Sequence, residues 1–293
     1  MFHALLRTLL YADVFDYALT SNEVWRYLIQ APSSQVEIEA ALATATRTGA
    51  ILQNRIFFAL PSRPELFGAR IKREQLSAQL WPHAQRWGRA LAALPFVRMV
   101  AVTGALAMRN VTSAQDDIDY LVVTVPGRVW LARALCVGVV HVARRFGLEL
   151  CPNYVLSTSA LAQTPHNLYI AHELAQMIPL GGFAVYQQMQ AANRWVGRFL
   201  PNHPFTQAPA PLENKRDNDF QRAGEFLLPP FIATPLENWE QNRKQGKFQK
   251  AAAHAPAAQL DQDRVKGHFN DHGARVLAEY EMRIRELENV VRA

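Results

Sequence analysis

Val100-Ala101-Val102-Thr103-Gly104-Ala105 ends an apolar run on a glycine, and after eleven intervening residues Asp117-Ile118-Asp119-Tyr120 opens a second. Glycine at a strand end lets backbone N–H groups come close to a phosphate. Asp117 and Asp119, two residues apart on a strand, project from one face while Ile118 turns into the core. Two adjacent carboxylates repel unless a cation sits between them, and Mg²⁺ takes carboxylate, water and phosphate oxygens. The pair suits two-metal chemistry, in which one ion activates an attacking oxygen and the other neutralises a leaving pyrophosphate.

These residues resemble the signature of the DNA polymerase β-like nucleotidyltransferase superfamily: an apolar residue, Gly, then Gly or Ser, about ten residues, then Asp-apolar-Asp/Glu-apolar. The resemblance covers about residues 95–200. It implies that Asp117 and Asp119 hold Mg²⁺ (or Mn²⁺), that a nucleoside triphosphate (NTP) is substrate, and that Thr103, Gly104 and Ala105 border its phosphates. The acceptor, whether protein, nucleic acid or small molecule, is left open. The chain departs from the pattern twice. Ala105 stands where the family has Ser or Gly, and the third acid expected on the next strand is not evident. Along Leu148–Leu156, Glu149, Cys151, Asn153 and Val155 alternate onto one face. Asn153 holds the mid-strand place and is neutral, and Glu149 lies about 13 Å along the strand from it.

Other candidates have ordinary structural readings. Arg109 could hold phosphate oxygens bidentately or form an edge ion pair. Asp116 belongs to the loop before the pair. His172 and Glu173 sit on a helix near the acceptor side, where a packed histidine is the better reading. His268 and His272, at i and i+4, lack further metal ligands. Cys136 and Cys151 are too few for a disulfide scaffold or a cysteine metal site and read as core thiols.

The elements that position these residues follow from periodicity. Residues 1–60 read as three helices and a hairpin, the winged-helix order. Thr20 or Ser21 and Ser33 or Ser34 serve as caps, and Gly49 ends the third helix. Residues 61–94 form a basic helical connector with Pro82 inside. Residues 95–200 form an α/β (α+β) nucleotidyltransferase-like unit with a small mixed sheet. Its strands are expected at Val97–Val102, Asp117–Thr124 and Leu148–Leu156, and its helices at Val129–Phe146, Asn167–Met177 and Phe183–Leu200. Residues 201–293 begin with a Pro-rich linker that should break any long helix and continue through a polar run, Gln241–Ala258. A closing helix is expected over Val265–Val291.

With 293 residues and 49% hydrophobic content the chain can build packed cores, which excludes disorder throughout. The apolar stretch Ala134–Ala143 is too short to span a bilayer, and the amino terminus lacks a basic leader, so a cytoplasmic protein is expected. The net charge of +6 is not evenly spread. Residues 1–60 carry −1 and residues 61–100 carry +5, a cationic flank that would draw a triphosphate or polyanionic acceptor toward the acids. Glu37 and Glu39 on the third helix speak against DNA recognition there. The leading reading is therefore a Mg²⁺-dependent nucleotidyltransferase. A catalytically weakened nucleotide sensor or interaction protein comes second, and a winged-helix DNA-binding regulator third.

Overall fold

The computed structural model describes residues 1–203, 215–252, 261–266 and 272–292. The chain is α+β. Its first sixty residues form α1 (Phe2–Asp13), β1 (Leu19–Thr20), α2 (Ser21–Arg26), α3 (Gln35–Arg47), β2 (Leu52–Asn54) and β3 (Phe57–Ala59). The helices and hairpin stand in the expected order, and β1 joins the hairpin to give a sheet ordered β1-β3-β2. Local chemistry sets the helix starts. Thr20 with Glu23, and Ser34 with Glu37, form reciprocal capping boxes that satisfy first-turn amides. Because α2 stops at Arg26, Leu28 and Ile29 are buried from the segment that follows it, not from its face.

The chain continues through α4 (Leu66–Ala92), β4 (Val97–Val102), α5 (Gly104–Ala107), β5 (Ile118–Thr124), α6 (Val129–Arg144) and β6 (Leu150–Ser157). Then come α7 (Leu168–Gln176), β7 (Ile178–Gly181), α8 (Phe183–Ala192), α9 (Lys215–Leu227), α10 (Pro230–Ala252), β8 (Arg264–Lys266) and α11 (His272–Arg292). Among the described residues, these strands form one sheet ordered β7-β4-β5-β6-β8. β5 and β6 run parallel and the other neighbours antiparallel.

Helices cover both faces of this sheet. Val100, Val102, Tyr120 and Val122 pack with α4, α6 and Ala233 of α10. Met99, Ala101, Leu121, Val123 and Leu156 pack on the other side with α7, α8, α11 and Leu10 and Tyr11 of α1. The amino-terminal unit therefore contributes to the core over the second sheet face.

Several expectations need correction. β7 and β8 extend a sheet expected to have three strands. Val265 lies in β8, so the closing helix starts at His272. The helix expected to reach Leu200 stops at Ala192, because buried Asn193 turns its amide onto Met189 O at 2.7 Å and Leu161 O at 2.8 Å. The Pro-rich tail contains α9 and α10. Pro230 is the first residue of α10, where a missing N–H is tolerated, and Pro235 lies in its second turn. Pro204, Pro209, Pro211, His268 and the end of the polar run at 253–258 lie outside the described residues.

Candidate metal centre and its cavity

β4 delivers Thr103 and Gly104 directly against the start of β5. The Thr103 amide donates to Asp119 O at 3.0 Å, and Gly104 has φ +62°. A Cβ on Gly104 would lie 2.4 Å from Asp119 Oδ2, so both backbone conformation and close approach require glycine here. Asp117 is exposed just before β5, and Asp119 is partly buried on the strand. One ligand atom from each of Asp117, Asp119 and Cys151 lies within 4.8 Å of the others.

Cys151 gains this place by cross-strand pairing with Asp119. The next registered pair is Leu121 with Tyr154, so β6 carries an extra residue and bulges over Pro152 and Asn153. The bulge breaks the alternation expected from the sequence. Val155 packs with the α4 and α6 layer, whereas Tyr154 and Leu156 face the opposite core. Asn153 still reaches the site. Its amide donates to Asp119 Oδ1 and its Oδ1 meets the Cys151 thiol.

Burial, followed by the neighbouring charge of Asp117, pushes Asp119 up to about 7, and the Asn153 hydrogen bond opposes that rise. Burial, then Asp119 and Asp117, pushes the Cys151 thiol up to about 12. Burial also raises Glu173 on α7, against the pull of Lys266. A buried acid that holds its proton near neutrality beside a second carboxylate is an arrangement a cation would relieve. The donor set fits a divalent ion through two carboxylates, and the thiol makes the set softer than the oxygen shell Mg²⁺ prefers.

The centre opens into a cavity of about 860 Å³. Thr103, Gly104, Ala105, Asp119 and Asn153 line it, so the structure brings these sequence candidates together. Three others lie elsewhere. Glu149 is exposed and bound by Arg144, whose Nε lies 3.0 and 3.1 Å from its carboxylate oxygens, and that contact lowers its pKa. Arg109 is exposed and outside the lining. Asp116 accepts the Thr112 amide at 2.7 Å and its hydroxyl at 3.0 Å, closing the preceding loop.

The other carboxylate of the cavity lining is Glu173. It lines the same cavity and contributes to the raised pKa of Asp119. The sequence placed Glu173 on a helix near the acceptor side, while the third acid was expected on the next strand. Cys151 was missed. Cys136 is a fully buried core thiol, but Cys151 is not. Its only sequence signal was its place on the Asn153 face.

Four cations of the flank, Arg63, Arg70, Arg73 and Arg98, are held by other parts of the chain, whereas Lys72, Arg86 and Arg89 are exposed. Arg70, 2% exposed, lies between Glu23 at 3.0 Å and Glu74 at 2.7 Å. Arg63 pairs with Asp13 at 3.0 Å, and Arg98 with Glu225 at 2.8 Å. Arg73 donates to Asp16 O at 2.7 Å and Asn110 Oδ1 at 2.9 Å. These side chains are outside the cavity lining, whose cations are Lys266 and Arg275.

No protein-family model matches the chain, and neither does any curated protein or solved structure. No described helix is long and apolar enough to cross a membrane.

Proposed function

We propose that the chain is a nucleotidyltransferase that moves a nucleoside monophosphate from an NTP to a hydroxyl acceptor. The observation that carries this reading is the contact between the Gly104 turn and Asp119, which sets a glycine turn at the mouth of a cavity beside a carboxylate that is clustered with Asp117. Asp117 and Asp119 would hold a divalent cation, Mg²⁺ or Mn²⁺, which supplies charge neutralisation for the phosphates. The acceptor oxygen bonds to the α-phosphorus as the bond to pyrophosphate breaks with its electron pair. The acceptor proton leaves to a carboxylate or to water. Thr103, Gly104 and Ala105 border the phosphates, and Asn153 orients Asp119 through its amide.

A catalytically weakened nucleotide sensor is the second reading. It is favoured by neutral Asn153 on β6, where the superfamily's third acid would stand. Glu173 from α7 favours the enzyme reading, because it lines the same cavity as Asp119 and adds a carboxylate to the Asp117 and Asp119 pair. DNA recognition has less support, since the outer face of α3 exposes Glu37 and Glu39 with one cation, Arg47.

Titration calorimetry tests the first reading. NTP binding should require Mg²⁺ or Mn²⁺ and be lost when Asp117→Asn and Asp119→Asn are combined. Equal affinity with and without the cation sinks it. Binding without pyrophosphate release across a broad hydroxyl-acceptor panel selects the sensor instead.

A further inference from the structure

The cavity is far larger than an acid pair and its cation require, and its volume falls within the usual range for small-molecule sites. Away from Asp119 it becomes aromatic. Tyr11 enters from α1, Phe15 from the turn after it, Tyr27 from the segment after α2, and His172 from α7. Tyr11 and His172 stack with ring centres 4.1 Å apart and planes at 15°, and Tyr27 lies 5.6 Å from the same imidazole. Leu121 also lines the cavity. It follows Asp119 by two residues on the same face of β5, about 7 Å along the strand, or roughly one six-membered ring with a substituent.

Two polar atoms in this region are buried without a hydrogen-bond partner, the Tyr11 hydroxyl and His172 Nε2. Tyr11 is 3% exposed and His172 4%. A buried polar group left without a partner keeps its full desolvation cost, so a pair in one cavity calls for an explanation. His172 Nδ1 lies 3.1 Å from Gln176 Nε2. With that amide donating to Nδ1, the imidazole proton is assigned to Nε2, which is then a free donor. Burial holds the imidazole pKa down to about 3, so it is neutral at ordinary pH. Glu173 lines the same cavity as Asp119 and Tyr11, and its charge raises the pKa of both.

We infer that the aromatic end of this cavity, walled by Tyr11 of α1 and His172 of α7, binds an uncharged flat ring that carries a hydrogen-bonding edge on a small molecule. The amino-terminal unit thus supplies a wall of the ligand site. The base of a nucleotide and an aromatic acceptor both offer this ring chemistry. Assigning the ring to one of them rests on the nucleotidyltransferase reading, whereas ring binding itself does not.

The full-length protein is tested with adenosine, phenol and indole as neutral probes, and with Mn²⁺-tripolyphosphate as a ring-free probe. Ligand-observed NMR and calorimetry measure affinity, and the imidazole resonances of His172 report occupancy in the unmutated protein. At least one ring probe should bind and shift the His172 resonances. Tyr11→Phe, and separately His172→Gln, should each weaken that probe about tenfold and leave Mn²⁺-tripolyphosphate unchanged. If Mn²⁺-ATP displaces the ring probe while Mn²⁺-tripolyphosphate does not, the ring is the base. Simultaneous binding of Mn²⁺-ATP and the probe makes it the acceptor's. Failure of all three probes to bind or to move His172, or undiminished affinity in both variants, overturns the inference. Ring binding without metal-dependent nucleotide binding keeps the ring subsite and removes the nucleotidyltransferase reading.

Discussion

Asp119 has opposed demands placed on it. It is buried enough to hold a proton to about 7, yet it sits against Gly104 and Asp117 where a charged carboxylate would bind a cation. The folded state binds this proton more tightly than the unfolded chain. Stability from this group is therefore full below the ordinary carboxylate pKa and falls as pH rises toward 7. The whole effect is at most about 4 kcal/mol. Thermal denaturation from pH 5 to 8 should show the unmodified protein losing stability relative to Asp119→Asn, with Mn²⁺ restoring the unmodified protein alone. Superimposable pH curves for the two proteins would show that Asp119 does not carry the proton.

Among the elements, α6 begins at Val129 without a local side-chain cap, since Arg128 supplies none. The cap comes from α10. Glu237 accepts the Trp130 amide at 2.9 Å and the Leu131 amide at 2.7 Å. A buried carboxylate at a helix start satisfies free amides and complements the helix dipole. Glu237→Ala should lower stability by about 1–2 kcal/mol in denaturant melts and leave cation affinity unchanged. A loss within error would mean that water replaces the carboxylate. The edge of the sheet has a comparable constraint. Gly182 has φ +72°, and a Cβ there would meet Arg98 O at 1.8 Å, so the turn out of β7 packs against β4 only with glycine.

Across the whole molecule, basic residues that suggested an anion-attracting surface join the amino-terminal unit to the sheet domain. Arg70 is held by Glu23 and Glu74 and lies 4.0 Å over the Tyr17 ring. Removing one partner of such a buried set strands the other charge. Arg70→Ala should therefore cost about 3 kcal/mol or more, read by chemical denaturation, without changing the salt dependence of nucleotide binding by the folded protein. Lys72→Ala, at an exposed position, should change neither property. A salt-dependent loss of nucleotide binding in folded Arg70→Ala would restore the attracting role. At the other end of the chain, Arg283 of α11 pairs with Asp13 of α1, which closes the cavity's helical walls on each other.

Local residue choice determined much of this protein. Capping pairs set α2 and α3, apolar runs marked β4, β5 and β6, and the Gly104 to Asp119 spacing located the acidic centre. These signals act over a few residues, so they can be read in order along the chain. Tertiary structure decided the rest, because it depends on contacts between distant segments. Pairing across β5 and β6 brought Cys151 to the aspartates, and the bulge beyond it turned Val155 away. Packing against the sheet gave Glu173 to the cavity, and folding of α1 over that face brought in Tyr11. Charge followed the same division: composition fixed how many cations residues 61–100 carry, but acids drawn from separate elements determined that Arg63, Arg70 and Arg98 would be paired rather than presented to a ligand.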